Sequence, residues 1–143
     1  MASRPSSGGQ GLYTPEILAA AMELAQYPWN DALPLKGSAR SRSCGSTIDI
    51  ALSLDADGRV EGLALRPHAC AVGQAAAALF ARSIPGLSKA DIASARAEIA
   101  RWLSREGGLP LWPGFSLIEA ARAFPARHGA ILLPWDAALS ALA

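Results

Sequence analysis

Cysteine is scarce in this sequence, with two in 143 residues, so a disulfide-stapled scaffold is excluded. No CxxC pair occurs, and the two thiols stand too far apart in the chain for a redox dithiol motif or a zinc knuckle. Charge is equally thin: 17% of residues are charged and the formal net charge is +1, which argues against an electrostatic nucleic-acid or membrane binder. No apolar run approaches the ~18 to 20 residues that a membrane span needs. Also missing are a glycine-rich loop in dinucleotide or P-loop spacing and a GxSxG elbow, so nucleotide and serine-hydrolase chemistry start low. Internal repeats and coiled-coil heptads are absent too.

The apolar share is 51%, delivered in short periodic pieces, and the length is that of one domain able to bury its own core. Residues 1–11, rich in Gly, Ser and Gln, read as a disordered leader, leaving 12–143 as a single domain. With no export signal, the expected compartment is the reducing cytoplasm, where two cysteines are free thiols or metal ligands.

Thr14 followed by Pro15 marks a helix start, and Ile17, Leu18, Ala21, Leu24 and Ala25 carry a helical stripe to about Gln26. The segment 27–37 breaks regular structure with two prolines and a glycine, and holds Trp29. From Thr47 the period becomes two: Ile48, Ile50, Leu52 and Leu54 alternate with smaller or polar residues as a half-buried strand. Asp55 to Gly58 supplies a turn, Val60 to Leu65 returns as a second strand, and Pro67 is expected to stop it. Gly37 to Ser43 is a candidate edge strand. A small-residue helix follows Cys70, and a second runs from Ser88 to about Ser104. Short helices are expected over Ser116–Ala123 and Pro134–Ala143, the last preceded by the apolar run Ala130–Leu133. The fold class is α+β: an N-terminal helix, a small antiparallel sheet of two to three strands, then several helices packed on it.

A hairpin returns the chain to its starting end, so Cys44 before the first strand and Cys70 after the second are expected to meet at one rim. Cys44, flanked by Arg, Ser and Gly, sits in surroundings that favour thiolate, and Cys70 heads a helix whose dipole favours an anion. His68, two residues before Cys70, and His128, in a glycine-bounded connector, are candidate imidazole partners in a zinc or iron site. Isolated histidines are more often hydrogen-bonded surface residues, and Asp49 reads as solvated. The tryptophans read as core and loop-docking residues: Trp102 fits a helix's buried stripe, and Trp112 and Trp135 each adjoin a proline break.

Three segments together resemble the NifU-like (IscU/SufU-type) iron-sulfur cluster assembly scaffold family: LYTPEILAAAMELAQYP, the cysteine-plus-hairpin SCGSTIDIALSLDADGRVEGLAL, and HACAVGQAAAALFARSI. FPARHGAILLPWDAAL is similar to the family's C-terminal segment, which carries its third cysteine. The resemblance implies a non-catalytic scaffold that builds a transient iron-sulfur cluster with sulfur from a cysteine desulfurase and passes it to acceptor proteins. Cys44 and Cys70 fall on the first two family cysteines. The family's aspartate is replaced by Ser46, and its third cysteine by Ala130. A cluster takes four ligands, largely thiolates, whereas this chain brings two, so His68, His128, Ser46, an external thiol or a second subunit would have to complete the shell. A zinc site of Cys44, Cys70 and one or two histidines makes fewer demands. Two further readings remain: a metal-free regulatory or partner-binding homologue, and a thiol sulfurtransferase using Cys70 as nucleophile and His68 as base.

Overall fold

The computed structural model describes residues 13–42 and 45–143. The expected leader and Cys44 lie outside the described residues.

Helix α1, Pro15–Met22, opens as its sequence dictates: the Thr14 hydroxyl accepts a bond from the Ile17 amide at 3.1 Å, with proline in the first turn. It tightens into a 3₁₀ turn over Glu23–Gln26. Strands β1 (Leu35–Arg40), β2 (Thr47–Leu54) and β3 (Val60–His68) form an antiparallel sheet in the order β1-β2-β3. The β2–β3 turn is held by the Asp55 carboxylate, which accepts bonds from the amides of Asp57 and Arg59. Helix α2 spans Ala71–Ser83 and helix α3 spans Lys89–Leu103, the latter entered through a reciprocal capping box between Ser88 and Asp91. 3₁₀ segments follow at Phe115–Ala123 and Pro125–Arg127, and helix α4, His128–Ala141, closes the fold.

The inner face of the sheet presents Ile48, Ile50 and Leu52, all buried, to α4, which crosses β1 and β2. The approach is close because β1 offers Gly37: a Cβ there would run into the Ala137 carbonyl oxygen and sit 2.5 Å from the Ala141 amide nitrogen. On its other flank α4 meets α2 and α3, and α2 also packs against α1. The run Ala75–Ala78 in α2 is fully buried. Phe80, Trp102, Trp112, Phe115 and Trp135 fill the far end of the core with stacked and edge-on contacts at centroid distances of 5.1 to 6.0 Å. Arg82 of α2 ties down the end of α1 by donating to Glu23 at 2.8 Å; that hydrogen bond, with the guanidinium charge, lowers the Glu23 pKa below the usual carboxylate range.

The α+β expectation stands, with four elements corrected. Strand β3 runs through Pro67 to His68, because β3 is an edge strand and a missing N–H on its free side costs no ladder bond. The edge strand beside β2 begins at Leu35 and ends at Arg40, rather than spanning Gly37 to Ser43. Helix α4 starts at His128, six residues ahead of Pro134, which is buried within it; burial of Ile131, Leu133, Pro134 and Trp135 outweighs the ~3 kcal/mol that an interior proline typically costs. The 116–123 helix proves to be a 3₁₀ segment from Phe115, interrupted at Ile118. No described helix is long and apolar enough to cross a membrane.

Candidate scaffold site at the head of α2

Strand register sets the site. Thr47 pairs with Arg40 on one side and with His68 on the other, so the segment leading into β2 and the segment leaving β3 lie at the same end of the sheet. The β1–β2 connection is closed by the Ser41 amide donating to the Ser46 carbonyl at 2.8 Å and the Gly45 amide donating to Ser41 at 3.1 Å. Gly45 takes a left-handed φ of 70°, which suits a residue without Cβ. The predicted ligand Cys44 belongs to this connection but lies outside the described residues.

Ala69 and Cys70 join β3 to α2. Cys70 is the N-cap residue, with extended backbone (φ −65°, ψ 171°), a free thiol and partial burial. Its side chain makes no capping hydrogen bond. The sulfur thus stands at the N-terminal end of the thirteen-residue α2, half-buried and outside the cap's hydrogen bonding. Gln74 stiffens the junction: its amide side chain donates to the Ala69 carbonyl at 2.8 Å, and its backbone amide to Cys70 at 2.9 Å.

The head of α4 packs against the head of α2. A Cβ on Gly73 would lie 2.9 Å from that of Ala69 and 3.2 Å from that of Ala130, so Ala130 sits one helical turn from Cys70. Ala130 is fully buried. Ala130, which the resemblance sets at a third cysteine position, thus packs against Gly73 in the first turn of α2.

The predicted histidines sit on different elements. His68 is exposed at the end of β3, on the sheet face turned away from the helices and two residues from Cys70. His128 belongs to α4, not to a connector; its Nε2 lies 2.8 Å from the Arg122 carbonyl oxygen, leaving Nδ1 as the ring atom open to another partner. Among the described residues no three His, Cys, Asp or Glu side chains gather in a group able to hold a metal. Ser46, at the family's aspartate position, is buried. Asp49, read as solvated, instead accepts from the Ser38 hydroxyl at 2.8 Å and pairs with Arg66 at 3.2 Å. Sequence reasoning missed Gly73 as a contact between two helix heads. Its signal was a glycine inside an otherwise good helix.

No protein-family profile matches the chain, and no curated protein does. Solved structures do. The crystal structure of a nitrogen-fixing NifU-like protein (N-terminal) from Brucella abortus aligns over 95% of this chain and 95% of its own, at 28% identity and a TM-score of 0.84. A putative iron-sulfur cluster assembly scaffold protein for the SUF system from the thermophile Fervidobacterium islandicum AW-1 aligns over 90% and 94%, at 16% identity and a TM-score of 0.79. A hypothetical protein follows at 17% identity and a TM-score of 0.69, with 88% and 96% covered. The chain has the NifU/IscU/SufU-type scaffold fold that its sequence resembles.

Proposed function

We propose that this protein is a scaffold-like component of iron-sulfur cluster assembly that holds iron or a transient cluster, as cargo, through Cys44 and Cys70. The observation that carries the reading is the match over 95% of the chain to a NifU-like structure, together with Cys70 at the head of α2. The chain's own residues contribute two thiolates and, from His68 or His128, an imidazole. Four ligands are the usual requirement of a cluster, so this set is short and the cargo is held loosely, which suits handover. A cysteine desulfurase as sulfur donor, iron-sulfur acceptor proteins as recipients, a cytoplasmic setting and the absence of catalysis belong to this reading by family likeness.

The test is iron and acid-labile sulfide content of protein purified without oxygen and reconstituted, beside Cys44→Ala and Cys70→Ala. Loading that disappears in both variants supports the assignment. Loading unchanged by either substitution defeats it.

The burial of Ala130 favours a second reading. A chain that has exchanged a ligand for a packing methyl group can keep the scaffold shape to engage partners while binding zinc or no metal at all. Wild-type protein that stays free of iron and sulfide after reconstitution supports this alternative over the first.

A further inference from the structure

The sheet face turned away from the helices carries a charge distribution unlike that of the whole chain. Cross-strand register stacks Arg40, Thr47 and His68 in one row and Ser38, Asp49 and Arg66 in the next, with Lys36 beyond Ser38. Arg42 follows Arg40 into the connection that bears Cys44. Lys36, Arg40, Arg42 and Arg66 are all exposed.

Of these cations only Arg66 is matched by a carboxylate, Asp49. Lys36 donates to the Asp31 backbone carbonyl, which leaves its charge uncompensated. Arg40 and Arg42 have no side-chain partner among the described residues. A protein of net charge +1 therefore concentrates unpaired positive charge on one face.

That face is also concave. A hollow of about 390 Å³ lined by Ser38, Ala39, Arg40, Thr47 and Asp49 adjoins one of about 230 Å³ lined by Trp29, Lys36, Ser38, Asp49 and Arg66. They share Ser38 and Asp49, so they form one trough with hydroxyls on its floor. Trp29 walls one end, under the Arg66 guanidinium at 4.1 Å from its ring centroid.

We infer that this trough is a docking surface for an acidic segment of a protein partner, bound toward the end of the sheet from which β3 leads to Cys70. Charge complementarity names the occupant: carboxylates of an incoming segment would find Arg40, Arg42 and Lys36 unmatched by any carboxylate and the Thr47 hydroxyl as a donor. The trough is longer than a single phosphate requires. Its one aromatic ring is already covered by Arg66, so it offers no stacking platform for the bases of a single strand. The inference rests on the scaffold reading for the purpose of docking there, not for the charge.

The test uses full-length protein and a fluorescein-labelled deca-glutamate peptide, with anisotropy read at about 20 mM salt and again at about 200 mM, where screening is strong. Binding is expected at low salt, weakened about tenfold or more by Arg40→Glu with Arg42→Glu. The control pair Lys89→Glu with Arg101→Glu, on α3, is expected to leave it unchanged. Trp29 is the one tryptophan outside the core, so its emission should shift on binding, and Trp29→Phe should silence that shift. Equal weakening by both charge-reversal pairs, no binding at low salt, or tighter binding of a single-stranded oligonucleotide lost through the same trough arginines would each overturn the inference. The Cys44→Ala, Cys70→Ala double variant should bind the peptide as wild type does, while Lys36→Glu with Arg40→Glu, both in the trough lining, should weaken the peptide and load free iron and sulfide normally. Failure of the docking surface is thereby distinguishable from failure of the metal assignment.

Discussion

At the scale of single residues, Ala130 decides how far the site departs from a full ligand set. Its side chain is buried against the head of α2, and Gly73 exists at that contact because a Cβ there would crowd both Ala69 and Ala130. Ala130→Cys inserts a sulfur into a closed contact, so it should lower the stability of the metal-free protein by about 1 to 3 kcal/mol. The same substitution places a third thiol one turn from Cys70. After anaerobic reconstitution, iron and sulfide retained through a desalting column should rise several-fold over wild type, and the gain should vanish when Cys70→Ala is added. A stability loss with no gain in retained iron would mean that position 130 faces the packing contact alone and not the cargo. The identity of residue 130 was plain in the sequence; what it touches was not, since the α2–α4 contact joins segments almost sixty positions apart.

At the scale of elements, α4 organises the fold, and its seat on the sheet depends on Gly37. The Ala137 carbonyl and Ala141 backbone occupy the space a side chain at 37 would need, and neither belongs to a flexible side chain able to yield. Gly37→Ala should therefore cost more than about 3 kcal/mol by forcing α4 off β1, despite the gain in strand propensity. Urea unfolding followed by circular dichroism should show a lower midpoint with the slope preserved; an unchanged midpoint would refute the close α4–β1 approach. The elements themselves were largely legible. Period-two alternation at Ile48–Leu54, the Thr14-Pro15 start and the helix beginning at Ser88 each lie within one stretch of chain, and each stands where local chemistry puts it. The failures were at prolines. Pro67 reads as a stop because its strand's edge position is a property of the sheet, and Pro134 reads as a start because only tertiary burial explains a proline inside α4.

At the scale of the whole molecule, the core and the thiols are separable. Among the described residues the buried set, from Ile17 of α1 through the α2 alanines to Trp135 of α4, does not include Cys70, which only lies against its edge. A fold held by apolar burial of this extent does not depend on a metal, in contrast to a zinc finger. The Cys44→Ala, Cys70→Ala double variant in a chelator should then melt within a few degrees of wild type, since about 1 kcal/mol of lost thiol packing moves Tm only a few degrees for a chain of this size. Zinc, a redox-inert probe of the same thiols, should raise the wild-type Tm by mass action, about 2.7 kcal/mol of added stability at a free concentration one hundred times Kd, and leave the double variant unmoved. Wild-type protein that unfolds in the chelator would make the metal a structural element. A zinc-induced rise that persists in the double variant would move the metal site away from the thiols, toward His68, His128 or the carboxylates of the outer sheet face. The arrangement expected instead is a rigid α+β body that holds its shape empty and presents the Cys70 thiol at the head of α2, so that cargo can enter and leave at little cost to the fold.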